Sequence, residues 1–191
     1  MKKKELSEKL RVMAVSGGHS RAASSVTRRI VTCAELRVKN RAAFEVARLY
    51  SGLKEANSMR PVFIDDRADT ALACAADGVH LGKGDIPTAL ARRLLGRGPV
   101  IGRTVRGLRE AKAAERDGAD YVSIGPVFRT PYKKNIRPRG LAVVRGVVNG
   151  VRIPVVAIGG INTHNLKAVF KTGAAGAAMI RGIKKLRSAA V

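Results

Sequence analysis

Residues 61 to 85 read PVFIDDRADTALACAADGVHLGKGD. Val62, Phe63 and Ile64 form a short apolar run that stops at Asp65 and Asp66, and Val79, His80 and Leu81 form a second that stops at Gly82 to Asp85. Apolar runs of this length, bounded by turn residues, read as buried strands. Residues 68 to 76 between them are rich in helix formers, and Gly78 is a natural helix stop. The stretch is therefore a strand-helix-strand unit with acids just past the carboxyl end of each strand. That is where parallel sheets and barrels carry their chemistry.

The same unit recurs in both directions. Further strands are expected at 11–16, 30–37, 100–104, 121–124, 154–158 and 177–180, with a turn at Gly17, Gly18, His19 and Ser20 leading into a short helix over 21–29. A helix after the second strand carries the stripe Ala43, Val46, Ala47, Tyr50 and Leu53. Pro87 suits the first turn of the next helix, which carries Leu90, Leu94 and Leu95. Helices follow at 108–116, 141–148 and 165–171. AADGV at 75–79, DGADYV at 117–122 and TGAAGAAM at 172–179 each close a helix and open a strand. Eight such runs make a compact (β/α)8 TIM barrel the expected fold, α/β with eight parallel strands. It would be one domain over 1–191 behind a basic N-terminal extension at 1–10, and an open doubly wound sheet is the alternative.

Thirty-seven Lys and Arg against 14 Asp and Glu give a formal charge of +23, which points to anionic ligands. Nucleic acid is a weaker reading than phosphorylated small molecules, though the charge alone does not exclude it. The chain has no Trp, four Phe and three Tyr for stacking bases, and its basic residues are dispersed. A hydrophobic content of 46% argues against disorder. Polar ELSEKL follows Met1 to Lys4 where a signal peptide needs an apolar core, and no stretch approaches membrane-spanning length. Cys33 and Cys74 lack the close pairing of a metal or redox motif, so reduced thiols in a cytoplasmic protein are expected.

Asp66 and Asp85 end adjacent strands, close enough in a barrel for both carboxylates to face one hydrated Mg²⁺. The competing reading pairs Asp66 with Arg67 and makes Asp85 a helix cap. Gly159 and Gly160 follow the seventh strand and Arg181 and Gly182 the eighth, where barrels commonly hold a phosphate on backbone N–H groups. Ordinary turn glycine is the alternative. The polar loop at 129–140 is long for a compact domain, and its Lys133 and Lys134 either neutralise a departing anion or are solvated surface. His80 reads as a strand residue satisfied inside the barrel, and His19 and His164 as turn residues. Nucleophile-elbow, Walker and zinc-ligand patterns are absent from the sequence.

Taken together, ELRVK at 35–39, IDDR at 64–67, DGVHLGKGDIP at 77–87, DGADYVSIGPVFRTPYKK at 117–134 and IPVVAIGGI at 153–161 resemble the thiamine phosphate synthase family. The thiazole tautomerases are a sister group on the same barrel, and IGRTV at 101–105 looks more like theirs. The synthase resemblance implies transfer of a hydroxymethylpyrimidine from its diphosphate to the ring nitrogen of a thiazole phosphate. It also implies that Asp66 and Asp85 bind Mg²⁺, that Arg37, Lys39 and Lys133 hold the diphosphate, and that Thr104 bonds near the pyrimidine. Thr130, Pro131, Tyr132, Gly159, Gly160, Ile180 and Arg181 would receive the thiazole phosphate, and a homo-oligomer is possible. Glu35 stands where the family has Gln and Asp65 where it has Asn, two added carboxylates beside a diphosphate, with Lys83 or Arg103 as candidate compensators. Tyr132 replaces Thr and Arg181 replaces Ser. The acid-base His of the tautomerases falls at Arg106, whose guanidinium cannot shuttle protons near neutral pH.

Overall fold

The computed structural model describes residues 3–16, 31–56, 58–180 and 182–185. Eight parallel strands close into a barrel in chain order: β1 Val12–Ser16, β2 Cys33–Leu36, β3 Val62–Asp65, β4 Gly78–Leu81, β5 Val100–Val105, β6 Tyr121–Ile124, β7 Val155–Ile158 and β8 Gly176–Met179. Pairing of β1 with β8, Met13 opposite Ala178, completes the ring and removes every edge. The described helices are α1 Lys3–Lys9, α2 Ala43–Glu55, α3 Ala68–Ala73, α4 Thr88–Leu95, α5 Leu108–Arg116, α6 Gly140–Gly150 and α7 Leu166–Phe170, with 3-10 turns at Pro131–Lys133 and Gly182–Lys185. The expected turn at 17–20, the helix at 21–29 and Arg181 lie outside the described residues.

Strand residues are buried on both faces, which is why the runs read as continuously apolar. The outward row, including Ala34, Ile64, Leu81 and Val122, packs under the helices. The inward row fills the barrel with Met13, Phe63, Val100, Tyr121 and Val156. Large and small side chains alternate there. A methyl group on Gly102 would overlap the Tyr121 ring on the next strand, and one on Gly78 would lie 2.9 Å from Phe63 Cδ1. Glycine on one strand thus makes room for an aromatic ring on its neighbour, and the narrow barrel stays densely packed.

α1 contributes to this interior. Leu6 and Leu10, one helical turn apart, are buried with the inward row and cover its amino-terminal end. Residues 3–9, expected as extension, are thus helical. The Asp residues of the repeated DGV and ADYV segments brace the same end. Asp77 accepts a hydrogen bond from Val62 N at 2.8 Å and an ion pair from Lys54, and Asp120 accepts from Ile101 N at 2.7 Å and pairs with Arg92. Each carboxylate holds an amide at the start of the preceding strand, which accounts for the echo between 75–79 and 117–122 but not for 172–179, which has no Asp.

Two helix faces differ from expectation. α4 buries Thr88, Ala91 and Leu95, while Leu90 is 47% and Leu94 45% exposed, and Pro87 is the residue before the helix rather than its first turn. α2 buries Val46, Tyr50 and Leu53 but leaves Ala43 exposed. In both helices the barrel wall is covered by a narrower stripe than the apolar residues suggest.

Candidate active site

The inward row turns polar at the carboxyl ends of five consecutive strands. Glu35 on β2, Asp65 on β3, His80 on β4, Thr104 on β5 and Ser123 on β6 form one half of the barrel mouth, facing Val15, Ile158 and Ile180 on the other. His80 is buried, with Nδ1 2.8 Å from Tyr121 Oη and Nε2 2.9 Å from Thr104 Oγ1 and 3.1 Å from Ser123 Oγ. Every ring nitrogen has a hydroxyl partner, and burial drives its pKa down to about 4. It is a neutral scaffold residue, as the sequence reading has it.

Glu35 and Asp65 are buried side by side and hydrogen-bond each other. Burial, then the Asp65 charge, pushes Glu35 well above the usual carboxylate range. Burial, then the Asp66 charge, raises Asp65 to about 7. Such a pair shares a proton near neutrality. Arg37 Nε stands 2.9 Å from Asp65 Oδ2, an oxygen that accepts no hydrogen bond. The cation beside the added carboxylates is therefore Arg37. Lys83 is exposed, and Arg103 donates to Ile86 O at 2.9 Å.

Asp66 and Asp85 converge from β3 and from the loop after β4. A methyl group on Gly82 would lie 3.2 Å from Asp85 Oδ2 and 3.5 Å from Asp66 Oδ1. Burial and then contact with Asp85 raise the Asp66 pKa. Asp66 holds φ at +66°, a left-handed conformation that redirects the chain at the strand end, and its N–H donates to His80 O at 2.8 Å. The competing roles are filled otherwise. Arg67 pairs with Asp69, α4 begins without a side-chain cap, and Asp85 Oδ2 accepts from Gly82 N at 2.5 Å. Two carboxylates with Lys39 3.9 Å from one of them form an oxygen donor set that fits Mg²⁺ completed by water and phosphate oxygens. Glu35, Asp65 and His80 also bring ligand atoms within 4.8 Å of one another, but both His80 nitrogens are bonded and Arg37 adjoins Asp65. The donor set at Asp66 and Asp85 suits a cation better.

The Lys133 side chain is solvent-exposed, yet partial desolvation, then the charges of Arg37, Lys39 and Arg106, holds its pKa below the usual lysine range. Four cations therefore share the mouth, of which Arg106 is not among the residues expected to bind. Lys133 also lines a cavity of 490 Å³ with Thr130, Pro131, Tyr132, Gly159, Gly160 and Ile180, so these expected residues do lie together. Arg129 of the long loop and Gly182 after the eighth strand line it as well, and so do Asn162 and Met179, which carry no motif that singles them out. Gly159 at φ +98° and Gly160 at φ +68° admit only glycine readily. A methyl group would lie 2.7 Å from Pro126 Cα at the first and 2.5 Å from Arg129 O at the second.

An acid pair, a cationic cluster and an adjoining apolar cavity thus stand together at the carboxyl-terminal mouth of a (β/α)8 barrel, the end at which such barrels carry their chemistry. Residues 15–183 match the family model described as thiamine monophosphate synthase, and the chain belongs to that family. It is 50% identical over 126 residues to the thiamine-phosphate synthase of Clostridium novyi (strain NT), covering 65% of this chain and 62% of that protein. The counterpart in Halalkalibacterium halodurans is 38% identical over 155 residues, 81% of this chain and 73% of that one. The first match thus spans about three fifths of its relative's length. A solved thiamine phosphate pyrophosphorylase from Pyrococcus furiosus superposes with a TM-score of 0.87 at 34% identity, covering 97% of each chain. Among the described residues no helix is long and apolar enough to cross a membrane.

Proposed function

We propose that the protein is a thiamine phosphate synthase, a transferase joining hydroxymethylpyrimidine diphosphate to thiazole phosphate with release of pyrophosphate. The observation that carries this reading is Lys133, which stands both among the cations around Arg37 and on the wall of the 490 Å³ cavity. One side chain thus joins a place for a leaving diphosphate to a place for an incoming heterocycle.

Asp66 and Asp85 would hold Mg²⁺, which when bound supplies positive charge to a departing diphosphate. Arg37, Lys39 and Lys133 bind the same anion and stabilise the charge that grows as its C–O bond breaks. The thiazole nitrogen lone pair then forms the new C–N bond, so no proton leaves the nucleophile and no general base is needed. Gly159, Gly160 and the 130–132 segment orient the thiazole phosphate, and Thr104, fixed by His80 and Ser123, faces the pyrimidine. Protonation shared by Glu35 and Asp65, with Arg37 beside them, offsets the two added carboxylates. Free thiols at Cys33 and Cys74 suit a cytoplasmic setting.

Rapid-mix single-turnover kinetics on Lys133→Ala test the assignment. The reading expects loss of pyrophosphate release by roughly 100-fold or more with little change in fold. Unchanged release would remove Lys133, and with it the main support for the reading.

A further inference from the structure

Along β5 the side-chain positions of Gly102 and Thr104 face the barrel interior: the first is filled by the Tyr121 ring, and the second lies 2.9 Å from His80 Nε2. Strand alternation carries this row to residue 106, the first past the strand. Arg37 stands in the same relation to Glu35 on β2. Two arginines thus stand immediately past the carboxyl ends of β2 and β5, at the mouth of the barrel. The Arg106 backbone N–H donates to Glu110 Oε2 at 2.8 Å, which fixes the loop where the side chain departs.

Arg37 pairs with Asp65 and Lys39 with Asp66, but no ion pair is recorded among the described residues for Arg106 or Lys133. The Arg106 charge nevertheless acts on the Lys133 ammonium. Two cations that repel each other across a concave mouth, with their neighbours' charges already matched, call for an anion between them.

We propose that Arg106 is a fourth ligand of the diphosphate, gripping its phosphate oxygens across the mouth from Arg37. This rests on the synthase reading for the identity of the anion, not for its charge. A guanidinium fork spans two phosphate oxygens, whereas an ammonium offers a point charge. Arg106 therefore sets affinity for the diphosphate and not for the thiazole phosphate.

Calorimetric titration of inorganic pyrophosphate with Mg²⁺ into the whole protein tests this. Arg106→Ala should weaken binding roughly tenfold or more, as loss of a charge-assisted hydrogen bond does. Arg106→Lys should fall between the two. Arg109→Ala, an exposed helix position, should bind like the parent. Equal affinity in Arg106→Ala and the parent, or no pyrophosphate binding by the parent, overturns the proposal. Pyrophosphate binding through Arg106 in a protein without turnover would sink the synthase reading and leave this inference standing. Intact turnover with unchanged binding in Arg106→Ala would do the reverse.

Discussion

Asp66 and Asp85 arise 19 positions apart, yet their carboxylates approach within 3.5 Å of one point above Gly82, where the chain has no side chain. Two acids in contact at a strand end repel unless a cation or proton lies between them. Asp66→Asn and Asp85→Asn, each of unchanged size, should therefore reduce transfer by roughly 100-fold or more. Each should also abolish Mg²⁺ binding measured by calorimetry. Circular dichroism matching the parent would show that the loss is local.

Opposite pH dependences are built into the polar half of the mouth. Asp65, raised to about 7, contributes stability fully present below its unfolded pKa near 4 and lost as pH rises through 7, and Glu35 acts in the same direction. The double variant Glu35→Gln, Asp65→Asn should match the parent near pH 4 and be more stable at pH 8. Denaturant melts at the two pH values check this.

His80 works the other way. Its pKa of about 4 lies below the unfolded value of 6.5, so its contribution is present above 6.5 and lost as pH falls towards 4. The loss reaches roughly 3 kcal/mol for a fully buried ring. In the parent the two effects oppose each other over the same window. In the double amide variant the His80 effect should stand alone, and stability should fall steeply on acidification.

Gly102→Ala should destabilise the barrel by about 2 kcal/mol or more, because the added methyl overlaps the Tyr121 ring that holds His80 Nδ1. Thermal melting reads this directly. Gly160→Ala, strained at φ +68° and 2.5 Å from Arg129 O, should instead raise KM for thiazole phosphate while leaving the diphosphate KM near its parent value.

Apolar runs such as VFI and VHL announce the barrel because its strands are covered on both faces, and Asp77 with Gly78 marks where the second begins. The convergence of Asp66 with Asp85 is also legible, since both follow adjacent parallel strands. Other features depend on geometry that spacing does not carry. Leu90 and Leu94 are apolar yet face outward, because helix rotation on the wall is set by packing. The α1 plug rests on only two leucines within a charged segment. Arg106 enters the sequence reading only as the position of the tautomerase His, and its place at the end of β5, with its charge acting on Lys133, appears once the barrel is closed. Arg37, expected to hold the diphosphate, also neutralises Asp65, a second role that appears once the inward rows of β2 and β3 lie side by side.

The most direct test of the account is formation of thiamine phosphate from hydroxymethylpyrimidine diphosphate and thiazole phosphate, followed with Mg²⁺ and again with a chelator. The account predicts product together with an equal amount of pyrophosphate when Mg²⁺ is present, and none with chelator. A folded protein that binds both substrates with Mg²⁺ and yields no product would contradict it, and would mark the Glu35 and Asp65 pair as the change that converts this barrel mouth into a binding site alone.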